Sequence, residues 1–272
     1  MTQGTIKRDR WDRPLILPAG GGKEVPYTRV TTLAGAIEDG FGIGQWKMRN
    51  VAKGLAKRPD LLLSVSAHED DTRELNKICE QAQEASGASA ASTKGTAVHI
   101  FTEKLDGGEK LPPAIPPEVM RKLDLYQQYT AGMSCVAIEE FLVCDELQAA
   151  GTADRIYEFG GNRYIGDLKT GKGIDLGIAK IAAQLAIYSR SVEYDEETGE
   201  RRTIGVNQDW GIVVHLPAGR DGEEDRDLIS LYWIDLNLGW RIAKHCYETR
   251  EIRKLKMPDV VRLISTNEES AA

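Results

Sequence analysis

The stretch from Gly151 to Tyr188 constrains this chain most. It carries Asp154 on an apolar, strand-like run, turns at Gly160-Gly161-Asn162, and returns through Arg163-Tyr164-Ile165-Gly166 to Asp167, with Lys169 two residues further on. Successive side chains of a strand point to opposite faces, so Asp167 and Lys169 share a face and an antiparallel return brings Asp154 beside them. Two close carboxylates repel unless a cation neutralises them, and oxygen donors suit hard ions such as Mg2+ or Mn2+. A lysine beside such an ion would orient or deprotonate a water, or offset charge on a phosphate. The plainer reading is a surface hairpin whose acids and lysine are solvated, and an isolated Asp-x-Lys tripeptide favours it.

The following segment shifts the balance. After Thr170-Gly171-Lys172-Gly173 the spacing predicts a helix from Ile174 to Val192, with Gln184 and Tyr188 on one face. Together, G-T-A-D (Gly151 to Asp154), G-D-L-K-T (Gly166 to Thr170) and Q-L-A-I-Y (Gln184 to Tyr188) resemble the RecB-type branch of the PD-(D/E)xK nuclease superfamily. An upstream G-T-A-V-H, Gly95 to His99, matches the family's G-x-x-x-H pattern. The resemblance covers roughly residues 93 to 235, and its motifs occur in the family's order. Ala153 stands where the superfamily's name has proline, which is ordinary for this branch.

The resemblance implies a restriction-endonuclease-like α+β core, a central mixed sheet flanked by helices. It implies a divalent ion, Mg2+ or Mn2+, held by His99, Asp154, Asp167 and the backbone carbonyl of Leu168, with Lys169 positioning the attacking water. Glu139, on the strand expected at Val136–Val143, would support the site or ligate another ion, with Glu140 as the other candidate for facing it. Gln184 and Tyr188 would contact the phosphate backbone or brace the site. Some relatives hold an iron-sulfur cluster with one upstream cysteine and three clustered downstream. The cysteines here are Cys79, Cys135, Cys144 and Cys246, without a Cys-x-x-Cys, and no cluster is expected. The implied activity is a metal-dependent DNA exonuclease of a phage recombination type. An endonuclease with the same site and a catalytically silent DNA-binding or assembly protein are the alternatives. The same resemblance suggests a helicase or annealing protein as partner and allows a homo-oligomer.

Net charge is -7, which on its face opposes a polyanionic partner. The charge is uneven, however. Residues 195–200 and 221–227 are acidic, whereas Lys47, Arg49, Lys53, Lys57 and Arg58 form a basic run without an acid. Lys47, Arg49 and Lys53 are therefore candidate DNA contacts, against the simpler reading of a solvated helix face. A second basic stretch, Arg241 to Lys256, follows near the end. A hydrophobic fraction of 41% over 272 residues suffices for a sizeable core. No apolar run reaches membrane-spanning length, and the first residues lack the apolar core of a signal peptide, so a soluble, cytoplasmic protein is expected.

Along the chain, residues 1–26 read as an extended or loosely ordered arm rich in Pro and Gly. A helix is expected from Tyr27, capped by Thr31 or Thr32, then one at Gln45–Leu55 and another at Thr72–Glu84. The small-residue stretch Ala85–Ser92 reads as a connection, and a helix at Thr93–Leu105 carries His99 and Glu103. Glu118–Thr130 reads as a helix, Trp210–Leu216 and Leu228–Ile234 as strands, and Leu236–Met257 as a long helix. The expected organisation is an arm and helical segment at 1–92, a core at 93–257 and a polar tail at 258–272.

Overall fold

The computed structural model describes residues 6–88, 90–217, 228–262 and 264. The chain begins with a two-stranded ribbon, β1 (Leu15–Ile16) against β2 (Val25–Pro26), followed by β3 (Thr28–Arg29) and a short helix α1 (Val30–Ala34). Three helices follow: α2 (Phe41–Lys57), α3 (Pro59–Ala67) and α4 (Thr72–Ala85). Next come α5 (Ala90–Asp106), α6 (Pro117–Thr130) and the meander β4 (Ser134–Cys144), β5 (Ala149–Phe159) and β6 (Asn162–Lys169). The chain continues through α7 (Ile178–Ser189), a small hairpin of β7 (Val192–Tyr194) and β8 (Arg201–Thr203), then β9 (Trp210–His215) and β10 (Ser230–Asp235). Helix α8 (Leu236–Ile252) and the turn-like α9 (Met257–Val260) close it.

These elements make a mixed sheet in the order β10-β9-β6-β5-β4-β7-β8, with β3 parallel to the start of β5. The meander β4-β5-β6 is antiparallel, and α7 intervenes before β9, which runs parallel to β6. Helices cover both faces. On one, Ala149, Ile165, Val213 and Ile234 pack with Leu33, Leu185, Ile187 and Ala243 of α1, α7 and α8. On the other, Tyr157, Leu168, Ile212 and Val214 pack with Val98, Val119, Leu123 and Tyr126 of α5 and α6. Strands buried on both faces lose the alternating pattern and read as continuous apolar runs, as in Ile212-Val213-Val214. Helices α2 to α4 have a small core of their own, Leu61, Ile78 and Ala82.

Several expectations are corrected. Of the two readings of the N-terminal arm, its described part takes the extended one and is packed down: Ile16 is fully buried with Tyr27, Phe141 and Val143. Arg201 clamps it by donating to the carbonyl of Leu17 and to Asp145, which also accepts from the Tyr27 hydroxyl at 2.7 Å. Thr31 and Thr32 lie inside α1 rather than capping a helix from Tyr27, because Thr28 and Arg29 are already committed to pairing with Ala149 and Ala150. Helix α3, opened by Pro59 at its first turn, has no counterpart among the helices expected from the sequence. The helix expected to reach Val192 stops at Ser189, since Val192 pairs with Val143 as a strand. The acidic residues 195–200 are the turn of the β7–β8 hairpin, which extends the sheet on the side away from β9. The acidic run 221–227 and most of the tail, residues 263 and 265–272, lie outside the described residues.

Candidate functional site

The hairpin at the centre of the sheet is set by its turn. Gly160 and Gly161 both have positive φ, 58° and 76°, the conformation that a two-residue loop matching the strand twist requires. Pairing then runs from Phe159↔Asn162 to Arg155↔Gly166 and stops. The next residues level with each other are Asp154 and Asp167, at the point where β5 and β6 part. The backbone N–H of Leu168 donates to Asp154 Oδ2 at 3.3 Å, tying the first acid to the strand of the second.

Asp167 is 2% exposed. Lys169 Nζ lies 2.7 Å from its Oδ1 and 2.6 Å from Oδ2. Only the Oδ1 contact has hydrogen-bond geometry, so Oδ2 is buried without a hydrogen-bond donor. Burial holds the Asp167 carboxyl well above the ordinary carboxylate range; Lys169 opposes this and the Asp154 charge adds to it. A buried carboxylate level with a half-buried one, with one ammonium held on the buried acid, forms a site short of positive charge.

His99 enters from α5. Gly95, one turn earlier, lies against the segment just past Lys169, where a Cβ would come within 2.5 Å of Thr170 Oγ1. That absence of a side chain lets α5 lie against the end of β6, and the His99 ring reaches the backbone of Leu168. Burial pushes its imidazole below the usual histidine value, with Asp154 pulling the other way, which favours the uncharged ring, the form with a lone pair to offer.

Glu139 sits between the register pairs Ile138↔Arg155 and Glu140↔Ala153, opposite Asp154, with φ 52°. A left-handed glutamate within a strand re-aims the side chain as a bulge does. Glu139 is exposed as a residue, yet desolvation of its carboxyl against the sheet, then Asp154 and Glu103, push that carboxyl up to about 7. Glu140 faces Glu193 and Arg202 instead, so Glu139 is the one turned to the acids. Tyr188 is 3% exposed, with its hydroxyl 2.9 Å from where a Cβ on Gly151 would stand. Its phenol is raised by burial and by Asp154, Asp167 and Glu139, which places it beneath the carboxylates as a brace rather than open to a ligand. Gln184, one turn earlier, is half-buried.

Lys47, Arg49 and Lys53 lie on α2, which packs against α3 and α4. No described hydrogen bond or ion pair joins them to the acids, and the structure does not bring them to the hairpin.

Two features escape sequence reasoning. Arg155, next to Asp154, is buried and donates through Nε to Asp106 Oδ2 at 2.6 Å; its only sequence signal is a charge inside an apolar run. His215 stands beside Lys169 on β9, its Nε2 2.8 Å from the Gly171 carbonyl oxygen; nothing in the sequence marks it.

Among the described residues, no three His, Cys, Asp or Glu side chains are gathered closely enough to hold a metal ion. The donors are nonetheless of the right kind. Two carboxylates, one with an orphaned buried oxygen, a neutral imidazole and the Leu168 carbonyl make the mixed oxygen and nitrogen set that suits Mg2+ or Mn2+. Lys169, its side chain 31% exposed, has room to withdraw from Asp167. The cysteines are free thiols, with Cys144 and Cys246 buried. No helix among the described residues is long and apolar enough to cross a membrane. Neither known protein-family models nor curated proteins match this chain.

Proposed function

We propose that the chain is a metal-dependent deoxyribonuclease of the PD-(D/E)xK type, an exonuclease in first place and an endonuclease in second. The observation that supports this best is Asp167: a buried carboxylate with an orphaned oxygen, level with a second acid and paired to a lysine two residues on. Folding gains little from such an arrangement, and an arriving cation would satisfy it. DNA as substrate rests on the resemblance of the motifs.

In this reading Asp154, Asp167, His99 and the Leu168 carbonyl would hold the ion. Once bound, the ion would lower the pKa of a coordinated water and offset charge developing on the scissile phosphate. Lys169, released from Asp167, orients the attacking water and faces the phosphate. The Leu168 N–H keeps Asp154 in place during that exchange. Tyr188 seals the floor beneath both acids and keeps bulk water out of the core. Glu139 supports Asp154 from the neighbouring strand.

Digestion of end-labelled linear duplex, single strand and closed circles with Mg2+, Mn2+ or EDTA tests this, with Asp167→Ala and Lys169→Ala as controls. Loss of linear DNA alone, abolished by chelation and by either substitution, is the expected result, and the label reports polarity. Cutting of circles selects the endonuclease. No cleavage with either metal removes the catalytic reading and leaves a DNA-binding protein to be tested.

A further inference from the structure

The buried charge beside the first acid has no part in the mechanism above, yet its contacts link the elements that carry the donors. Arg155 is 1% exposed, on the face of the sheet covered by α5 and α6. A fully buried guanidinium is costly unless every arm is engaged. Here Nε donates to Asp106 Oδ2 at 2.6 Å and Nη1 to the Asp154 carbonyl oxygen at 2.8 Å. Nη2 donates to Thr102 Oγ1 at 3.3 Å, and Thr102 Oγ1 in turn donates to the His99 carbonyl oxygen at 2.8 Å. Asp106 also accepts from Tyr126, whose hydroxyl is 2.9 Å from that of Tyr157, so α6 and β5 join the same network.

The helix periodicity makes this possible. Thr102 and Asp106 follow His99 at three and seven positions, on one stripe of α5, which is the stripe turned to the sheet. One planar cation thus holds the backbone of Asp154 directly and the backbone of His99 through a single hydroxyl. The two residues come from elements held in different ways: β5 is fixed by its ladder, and α5 by apolar packing that tolerates sliding.

The geometry points to Arg155 as a positioning residue, acting with Thr102 and Asp106 to set the distance between His99 and Asp154 and so the affinity of the site for its divalent ion. This rests on the metal-dependent reading of the site. Partners that orient metal ligands typically change affinity about 10- to 100-fold when removed. Thr102→Val is the sharpest probe, because it keeps the shape and removes only the hydroxyl that joins the guanidinium to His99. Arg155→Lys keeps the charge but gathers its donors on one compact nitrogen, which cannot span the separated acceptors that the guanidinium fork reaches.

The experiment is Mn2+ binding to the EDTA-stripped full chain, followed by the paramagnetic resonance of free Mn2+, at a temperature where circular dichroism shows each variant folded. The expected result is Mn2+ affinity lowered about tenfold or more in Thr102→Val, with Thr102→Ser within about twofold of wild type. Arg155→Lys should fall at least as far; should it fail to fold, Thr102→Val decides alone. Wild-type affinity in folded Thr102→Val overturns the positioning role and leaves the network a purely structural one. A wild-type chain that binds no Mn2+ overturns the metal reading itself, and this inference with it.

Discussion

An acid placed where folding gains little from it should make the protein more stable when neutralised. Asp167→Asn keeps the shape of the side chain, removes the charge facing Asp154 and supplies an amide in place of the orphaned Oδ2. Leaving a buried polar atom unsatisfied costs about 1–3 kcal/mol. Against this stands the lost ion pair with Lys169, a side chain 31% exposed that can turn to solvent, worth about 1 kcal/mol. The balance favours the variant by about 0–2 kcal/mol in the metal-free state, or up to roughly 8 °C in Tm for a chain of this size. The pH dependence follows from the direction of the shift. Asp167 has its folded pKa raised above the unfolded value of about 3.9, so the wild type loses stability as pH rises from that value through the raised one. The advantage of Asp167→Asn should therefore vanish near pH 4 and be full at pH 8. Thermal melts in EDTA from pH 4 to 8 measure it. Excess Mn2+ should reverse the order, since a ligand at one hundred times its Kd adds about 2.7 kcal/mol to the form that binds it. A variant that melts below wild type in EDTA at pH 8 would show that Lys169 fully satisfies Asp167, and the argument from an orphaned carboxylate would fail.

Three further outcomes are expected. Glu139, its carboxyl pushed up to about 7, also weakens the fold as pH rises from its unfolded range through neutrality, so Glu139→Gln should flatten the fall of Tm between pH 5 and 8; an unchanged slope refutes the perturbed acid. Gly95→Ala forces a Cβ to within 2.5 Å of Thr170 Oγ1 and should destabilise by about 1–3 kcal/mol and cut cleavage. Thr170→Ala in the same chain should restore most of both, and purely additive losses would show that the two do not touch. Replacing Lys47, Arg49 and Lys53 together by glutamine should weaken DNA binding and flatten its salt dependence, by about 0.9 in logarithmic slope for each phosphate no longer neutralised. An identical salt slope would assign these charges to a solvated helix face.

What is legible in the sequence follows from what local periodicity encodes. The hairpin can be read because strand alternation and a Gly-Gly turn fix register without help from the rest of the chain. Helices α4, α5 and α6 fall within a few residues of their expected bounds because each carries its own period and, in α4, a cap: Asp71 accepts from the N–H groups of Arg73 and Glu74. The arm could be read only as extended or loose, because prolines and glycines report local stiffness and turning, while its order comes from residues far away, Asp145 and Arg201. The β7–β8 hairpin, three residues a strand, is too short to show a period. Arg155 is easily passed over because a charge is ordinarily a surface signal, and only the partner on α5 reveals that it is buried. The basic run on α2 is legible as charge, but where a helix lies relative to a site is tertiary information.

The positions of Asp154 and Arg155 are one decision rather than two. Adjacent strand residues face opposite ways, so the acid that turns to Asp167 and Tyr188 obliges its neighbour to enter the opposite layer, where a side chain must be long and able to bond Asp106, Thr102 and the backbone at once. A one-residue slip of the hairpin would exchange them, placing a cation among the acids and an acid against Asp106. Neither face could absorb that change. The Gly160-Gly161 turn, which fixes the register from the far end of the hairpin, is in that sense as much a part of the site as the carboxylates it aligns.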